Sequence, residues 1–394
     1  MQPMEIKPAV HWVGAIDWDL RDFHDYLTPR GTTYNAYLII DEKIALVDTV
    51  KQTHFEEMLT LLKQLVNPDQ IDYIIANHVE MDHSGSLPLL LEIAPQAKVI
   101  TSPQGEKGLR RYFKKDWPFQ TVKSGETLEL GRRNLQFFHT PMVHWPDSMV
   151  TYLAEEKLLL SNDAFGQHIA TSQRFDSEVG WDILYEEAAT YYANIVLLYG
   201  ENVKKALAAL GKLDIEMIAP SHGIIWQKHR PEILKAYQKW ANHQTEPKTV
   251  IVYDTMWGST KKIAFALQAG LTEAGIPVSM RCLKTNHISA VMPDVLEAKA
   301  ILIGSPTLNN GLLPSVSAFL TYLKGLRPKE RIGFVFGSYG WGGQAVKEIE
   351  EVVNFLGWSQ PLESINIQYL PDPEELAQIK ATGKKLGEII QKEA

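Results

Sequence analysis

His78-Val79-Glu80-Met81-Asp82-His83 stands one residue, Asn77, beyond the apolar run Ile71 to Ala76. That run reads as a buried strand, so four side chains able to bind a metal fall in the loop at its carboxyl end, where open α/β sheets place their sites. Three more such groups each stand just beyond an expected strand: His144 in Met142-Val143-His144-Trp145-Pro146, Asp163 after the apolar run Lys157 to Leu160, and His222 after Met217-Ile218-Ala219-Pro220. Four imidazoles and three carboxylates presented from one sheet edge suit a pair of borderline-to-hard divalent ions, with Asp163 the natural bridging carboxylate. Isolated histidines such as His54 and His287 lie in no such pattern and are given no role.

The bulk properties narrow the class. With 394 residues, 45% hydrophobic and 22% charged, the chain is long enough for two domains with substantial cores. A formal net charge of −8 leaves no basic stripe to replace counterions on phosphates, which excludes a general nucleic-acid binder. No stretch of about 20 apolar residues is available to span a bilayer. The segment Met1 to Lys7 lacks the charged-then-apolar pattern of a signal peptide, so the cytoplasm is the expected location. Cys282 is the only cysteine, so an internal disulfide and a four-thiolate iron–sulfur or rubredoxin-type centre are both excluded. It sits in an expected strand and reads as a small packed side chain.

The order of elements changes along the chain. Strands at Ala36 to Ile40, Lys43 to Val47 and Asn134 to His139 are interleaved with helices at Phe55 to Leu65 and Leu87 to Ile93, as in a sheet sandwich with outer helices. A helix over Asp182 to Leu198 and another over His229 to Gln244 follow, and Thr245-Glu246-Pro247-Lys248 reads as a short polar linker. The expected division is 1–247 and 248–394. Beyond it the pattern becomes strictly βα, with strands at Thr249 to Tyr253, Val278 to Leu283, Ala300 to Gly304, Ile332 to Phe336 and Ile365 to Tyr369. Helices are expected at Lys261 to Ala274, Val316 to Leu323, Ala345 to Leu356 and Pro373 to Glu393. This is the signature of a doubly wound parallel sheet.

Three loops of that second part carry ligand chemistry. Thr255-Met256-Trp257-Gly258-Ser259-Thr260 runs from the first strand into a helix, and hydroxyls with backbone amides at a helix N-terminus form an anion cradle suited to a terminal phosphate. Pro306-Thr307-Leu308-Asn309-Asn310-Gly311 follows the third strand, and Ser338-Tyr339-Gly340-Trp341-Gly342-Gly343 the fourth. Glycines in such loops allow backbone amides to approach a ligand closely, and aromatic side chains offer faces for stacking.

The metal-loop constellation resembles the metallo-β-lactamase-like domain, whose His-x-His-x-Asp-His loop is completed by distant His, Asp and His; here Glu80 stands at the second position. The added carboxylate hardens the cage and favours iron over zinc. The same substitution marks the flavodiiron proteins, in which a flavodoxin domain follows the metal domain, and the resemblance covers nearly the whole chain. It implies a metallo-β-lactamase-like αββα sandwich followed by a flavodoxin-like doubly wound parallel sheet, FMN held by the three loops, and a diiron site held by His78, Glu80, Asp82, His83, His144, Asp163 and His222. In some members the histidine matching His83 is turned away with water in its place, and its ligation here stays open. His24, Tyr191 and Tyr192 are candidates for giving hydrogen bonds or protons to a bound oxygen ligand.

The implied activity is reduction of O2 to water, of NO to N2O, or both. Electrons would come from rubredoxin or a similar carrier on another polypeptide, since this chain has neither the thiolates for such a centre nor a Gly-x-Gly-x-x-Gly nicotinamide site. The resemblance further implies a head-to-tail homodimer in which each FMN serves the partner chain's metals. Two other readings stand beside this one: a dinuclear zinc hydrolase carrying a flavodoxin module, which Glu80 argues against, and an FMN electron carrier with a vestigial metal domain, which the full ligand set argues against.

Overall fold

Near-continuous apolar strands dominate both halves of the chain because each central strand is covered on both faces. The structure is a computed structural model and describes residues 2–393. Its contacts define two compact units: one runs to Tyr191 and resumes over Glu201–Gln238, the other comprises Tyr192–Gly200 and the chain from Lys239.

The first unit holds a seven-stranded and a five-stranded sheet. In the larger, Tyr37–Ile40 and Ile44–Val47 form an antiparallel hairpin, and Tyr73–Ala76 and Lys98–Thr101 continue it in parallel. In the smaller, Asn134–His139, Met149–Leu153 and Leu158–Asn162 are antiparallel, and Met217–Pro220 adds to the last in parallel. Leu38, Leu46, Ile74 and Ile100 from one sheet share a core with Leu135, Phe137, Leu158 and Leu160 from the other. Helices Phe55–Leu62 and Leu87–Ile93 bring Met58, Leu62 and Leu90 into the same core. Each such side chain contributes about 1.5–3 kcal/mol of burial free energy.

This topology places the site. Tyr73–Ala76 runs out towards His78, while the parallel neighbours Leu158–Asn162 and Met217–Pro220, in register at Asn162 and Pro220, release Asp163 and His222 side by side.

The second unit is a five-stranded, all-parallel sheet. By chain order its strands lie 2-1-3-4-5: Val278–Cys282, Glu246–Tyr253, Ala298–Pro306, Ile332–Tyr339 and Ile365–Gln368. The first of them begins at Glu246, which already pairs with Ala298, within the stretch expected as a linker.

Two helices depart from the expected pattern. Ile288–Glu297 crosses from the second strand to the third although Pro293 lies inside it; proline is a strong interior helix breaker, and no helix is expected there from sequence. The helix expected over Asp182 to Leu198 is regular only as Trp181–Tyr191, and Tyr192–Val196 continues as a wider turn. The change falls where the chain passes from the first unit's contacts to the second's.

Helices Ser259–Glu273 and Pro373–Glu393 cross so closely that a Cβ on Gly270 would lie 2.0 Å from the Lys380 carbonyl oxygen, and one on Gly383 2.4 Å from that of Leu267. Backbone cannot yield as a flexible side chain can. Gly383→Ala is therefore expected to destabilise the chain by about 1–3 kcal/mol, the usual cost of overpacking, read as an earlier midpoint in urea unfolding.

Candidate functional site

A single carboxylate joins two groups of ligands. Asp163 Oδ2 lies 3.6 Å from His78 Nε2 and 3.4 Å from His144 Nε2, whereas its Oδ1 lies 3.0 Å from His83 Nε2 and 3.5 Å from His222 Nε2. Glu80 Oε2 completes the first group at 3.3 Å from His78 and 3.2 Å from His144. Asp82 completes the second, with Oδ1 3.4 Å from His83 and Oδ2 3.2 Å from His222. All seven residues named from sequence are thus brought together, four around one point and three around another.

The donor chemistry fits two cations. Both oxygens of Asp82, both ring nitrogens of His83 and Oδ2 of Asp163 are buried without a hydrogen-bond partner, although charged neighbours lie close. Buried polar atoms left in that condition are costly unless something else satisfies them. Burial opposes charge on these groups, but the cluster overrides it. Asp82 and Asp163 push the His83 imidazole up to about 10. His144 and His78 hold Glu80 below the usual carboxylate range, and His83 with His144 holds Asp163 well below it.

The imidazoles are aimed by residues behind them. His78 Nδ1 pairs with Asp147 Oδ2 at 2.9 Å, and the same oxygen accepts the Val79 amide at 2.8 Å. His222 Nδ1 pairs with the Thr33 carbonyl at 2.7 Å. Each contact leaves Nε2 facing the carboxylates, the arrangement that orients metal-binding histidines. Gly223 allows His222 its position, because a Cβ there would meet the Gln167 carbonyl oxygen at 2.4 Å and its backbone is left-handed at φ +80°.

Asp48 underlies the whole arrangement. Its buried carboxylate accepts from the Asn77 amide at 2.9 Å, from Asn77 Nδ2 at 3.1 Å, from Asn162 Nδ2 at 3.2 Å and from Ser221 Oγ at 3.4 Å. Those three residues immediately precede the candidate ligands His78, Asp163 and His222. Neither Asp48 nor Asp147 stands out in the sequence analysis. Asp48 follows the strand Ile44–Val47, so the strand-end rule that picks out the ligands also applies to it.

Of the remaining candidates, His24 sits at the tip of a two-residue hairpin, left-handed at both His24 (φ 53°) and Asp25 (φ 65°), and its Nε2 lies 2.9 Å from Glu80 Oε1. Tyr191 is buried, its ring 6.1 Å from that of His222. Tyr192 is one helical step, about 100°, further round, and its ring packs on Trp240 at 5.2 Å. His168 is absent from the sequence-based set. Its ring lies 4.9 Å from His222 and 5.1 Å from Tyr191, its Nδ1 pairs with Thr32 Oγ1 at 2.8 Å, and burial with the neighbouring His222 holds its pKa well below the usual value.

The second unit carries a cavity of about 740 Å³ at the carboxyl ends of its strands. Thr255, Met256, Trp257 and Ser259 line it from the first loop, Pro306, Thr307, Asn309 and Asn310 from the second, and Ser338, Tyr339, Gly340, Trp341 and Gly342 from the third. Tyr369 and Leu370, after the fifth strand, add a wall beyond the three loops expected from sequence. Gly258, Thr260, Leu308, Gly311 and Gly343 do not line it, and at least three serve the loops themselves. Thr260 Oγ1 pairs with Ser338 Oγ at 2.9 Å, and Leu308 and Gly311 bond each other's backbone. Trp257 and Trp341 are 94% and 90% exposed, so both faces are available to a planar ligand.

The chain is similar to known proteins along its whole length. Residues 32–223 match the family described as ODP family beta lactamase, and residues 251–383 match flavodoxin. A nitric oxide reductase of Moorella thermoacetica is 45% identical over 99% of both chains. The solved rubredoxin oxygen:oxidoreductase of Desulfovibrio gigas superposes with a TM-score of 0.97 at 41% identity, covering 100% of this chain and 99% of that one. The flavodiiron protein of Giardia intestinalis superposes with a TM-score of 0.97 at 32% identity, covering 100% and 98%.

Asp48→Asn, which removes one of two accepting oxygens, is expected to lower metal affinity about 10- to 100-fold with little change in circular dichroism; metal content after dialysis against a chelator reads this. A second expectation concerns Glu187, buried at 6% exposure, whose carboxyl burial pushes up to about 7 against the pull of Arg30 at 2.8 Å. The folded state then holds the proton more tightly than the unfolded chain, whose group keeps its ordinary value of 4.5. The stability that Glu187 contributes is fully present below 4.5 and is lost as pH rises through about 7. Glu187→Gln should flatten that part of the stability–pH curve, measured by denaturant unfolding at a series of pH values.

Proposed function

The chain belongs to the flavodiiron protein family, and we propose that it is an oxidoreductase reducing O2 to water, NO to N2O, or both, using FMN and two iron ions. The observation that carries this reading is Asp163, whose two oxygens each face a separate group of ligands in a chain that also carries a loop-lined cavity. His78, Glu80, His144 and Asp163 would hold one iron, and Asp82, His83, His222 and Asp163 the other. The domains divide near residue 247, and the three loops around the cavity hold FMN.

Two ferrous ions would supply one electron each and polarise a bound diatomic, and reduced FMN would supply two more. Four electrons and four protons convert O2 into two waters; two of each convert two NO into N2O and water. The protein's own part is to fix charge and to move protons. Glu80, Asp82 and Asp163 offset three of the four positive charges of two divalent ions, and Asp147 and the Thr33 carbonyl keep His78 and His222 aimed inward. His24 would hand protons in. Its side chain is 73% exposed and its Nε2 touches Glu80. Tyr191 stands on the His222 side.

Electrons come from rubredoxin or a similar one-electron carrier, because the lone Cys282 cannot form such a centre. A head-to-tail homodimer, each FMN serving the partner's metals, and a cytoplasmic location complete the proposal. Among the described residues no helix is long and apolar enough to cross a membrane. A dinuclear zinc hydrolase is not favoured, since relatives named for their activity include a nitric oxide reductase and a rubredoxin-oxygen oxidoreductase, and Glu80 adds a third carboxylate.

The test is anaerobic turnover with reduced carrier, comparing O2 and NO on one preparation of known iron, zinc and flavin content. Two irons and one FMN per chain with consumption of either gas is the expected result; an iron-loaded, flavin-replete sample inert towards both overturns it. Mixing Asp163→Asn with a variant unable to bind FMN is expected to restore part of the activity through heterodimers, and no rescue at any ratio counts against exchange between subunits.

A further inference from the structure

Asp254 follows the first strand of the second unit, Glu246–Tyr253, directly before the loop that begins at Thr255. It is 4% exposed. Its Oδ1 accepts the Thr255 amide at 2.6 Å and its Oδ2 accepts Ser315 Oγ at 2.5 Å. A buried carboxylate beneath a loop meant for a phosphate ester is an electrostatic conflict, because both groups are anionic.

The structure supplies an answering charge. Lys284, just past the end of the neighbouring strand Val278–Cys282, brings Nζ to 3.8 Å from Asp254 Oδ1 and donates a hydrogen bond to the Thr255 carbonyl. One ammonium thus touches both the buried anion and the first residue of the loop. Lys261, in the first turn of the following helix, is directed elsewhere, with Nζ over the Phe265 ring at 5.6 Å from its centroid. The loop is otherwise closed by Thr255 Oγ1, which accepts the Gly258 amide at 3.1 Å.

We propose that Lys284 is a positioning residue that offsets the charge of Asp254 and fixes Thr255, so that the loop 255–260 accepts a dianionic flavin phosphate. The proposal rests on the reading of the cavity as the FMN site. Lys284 thereby sets the preference of the pocket for FMN over riboflavin, which has the same ring system and no phosphate.

The test is a fluorescence-quenching titration of the full-length chain, stripped of flavin, with FMN and with riboflavin. Lys284→Gln is expected to raise the Kd for FMN about tenfold, as loss of one charge-assisted contact does, and to leave that for riboflavin unchanged. Lys284→Arg is expected to keep most of the preference. Asp254→Asn combined with Lys284→Gln is expected to bind FMN more tightly than Lys284→Gln alone, because the buried anion is gone with its partner. Equal weakening of both flavins, no change in either, or a double variant no tighter than the single overturns the role of Lys284. An unaltered chain that binds neither flavin overturns the FMN reading, and this inference with it.

Discussion

The hydrogen bonds of one buried carboxylate organise the metal-binding half of this protein. Asp48 accepts from Asn77, Asn162 and Ser221, and each of these is the residue before a ligand. Three loops from two different sheets are thereby tied to one point. Opposite charges in a cluster of four imidazoles and three carboxylates attract, but that attraction is non-directional and does not by itself set the geometry of groups taken largely out of water. The cluster needs a scaffold whose hydrogen bonds do not depend on the ligands' own donor atoms, and the Asp48 network has that character. Burial pushes the Asp48 carboxyl up, and His83 with the Asn77 amide pulls against that push.

The second half solves a related problem with the same side chain. Asp254 braces the Thr255 amide and Ser315 from the end of a core strand, as Asp48 braces its three loops. In both units a short acid at a strand terminus converts the rigidity of the sheet into the position of a loop. The difference lies in the surroundings. Asp48 hydrogen-bonds amides and a hydroxyl and feels the charge of His83, whereas Asp254 has the Lys284 ammonium 3.8 Å away.

Much of the site is legible in the sequence because its chemistry is local in register. The candidate ligands fall in the segments that follow apolar runs, and the βα alternation of the second half marks the three loops where a doubly wound sheet receives its ligand. What the pattern misses are single polar residues with no companions nearby. Asp147 and His168 acquire their roles through partners 69 and 136 positions away, His78 and Thr32. Tyr191 and Tyr192 are indistinguishable on paper, and the phase of one helix separates them, one ring beside His222 and the other on Trp240. Pro293 hides a helix that its neighbours' burial stabilises: Val291, Met292, Val295 and Leu296 are all in the core. Tyr369 and Leu370 enter the cavity from the fifth strand, where the Tyr369 amide bonds the Tyr339 carbonyl at 2.7 Å.

By itself the sequence determined the two-part architecture, the seven candidate metal-binding groups and three of the loops around the cavity, because strand periodicity and residue chemistry are both written along one dimension. Only the tertiary structure decided how the seven groups divide into two sets, that Asp163 faces both through separate oxygens, and which buried acids hold the loops in place. Those outcomes depend on distances between residues far apart in the chain. They are fixed by the register of parallel strands and by the direction in which each side chain leaves its sheet, which no local pattern of residues encodes.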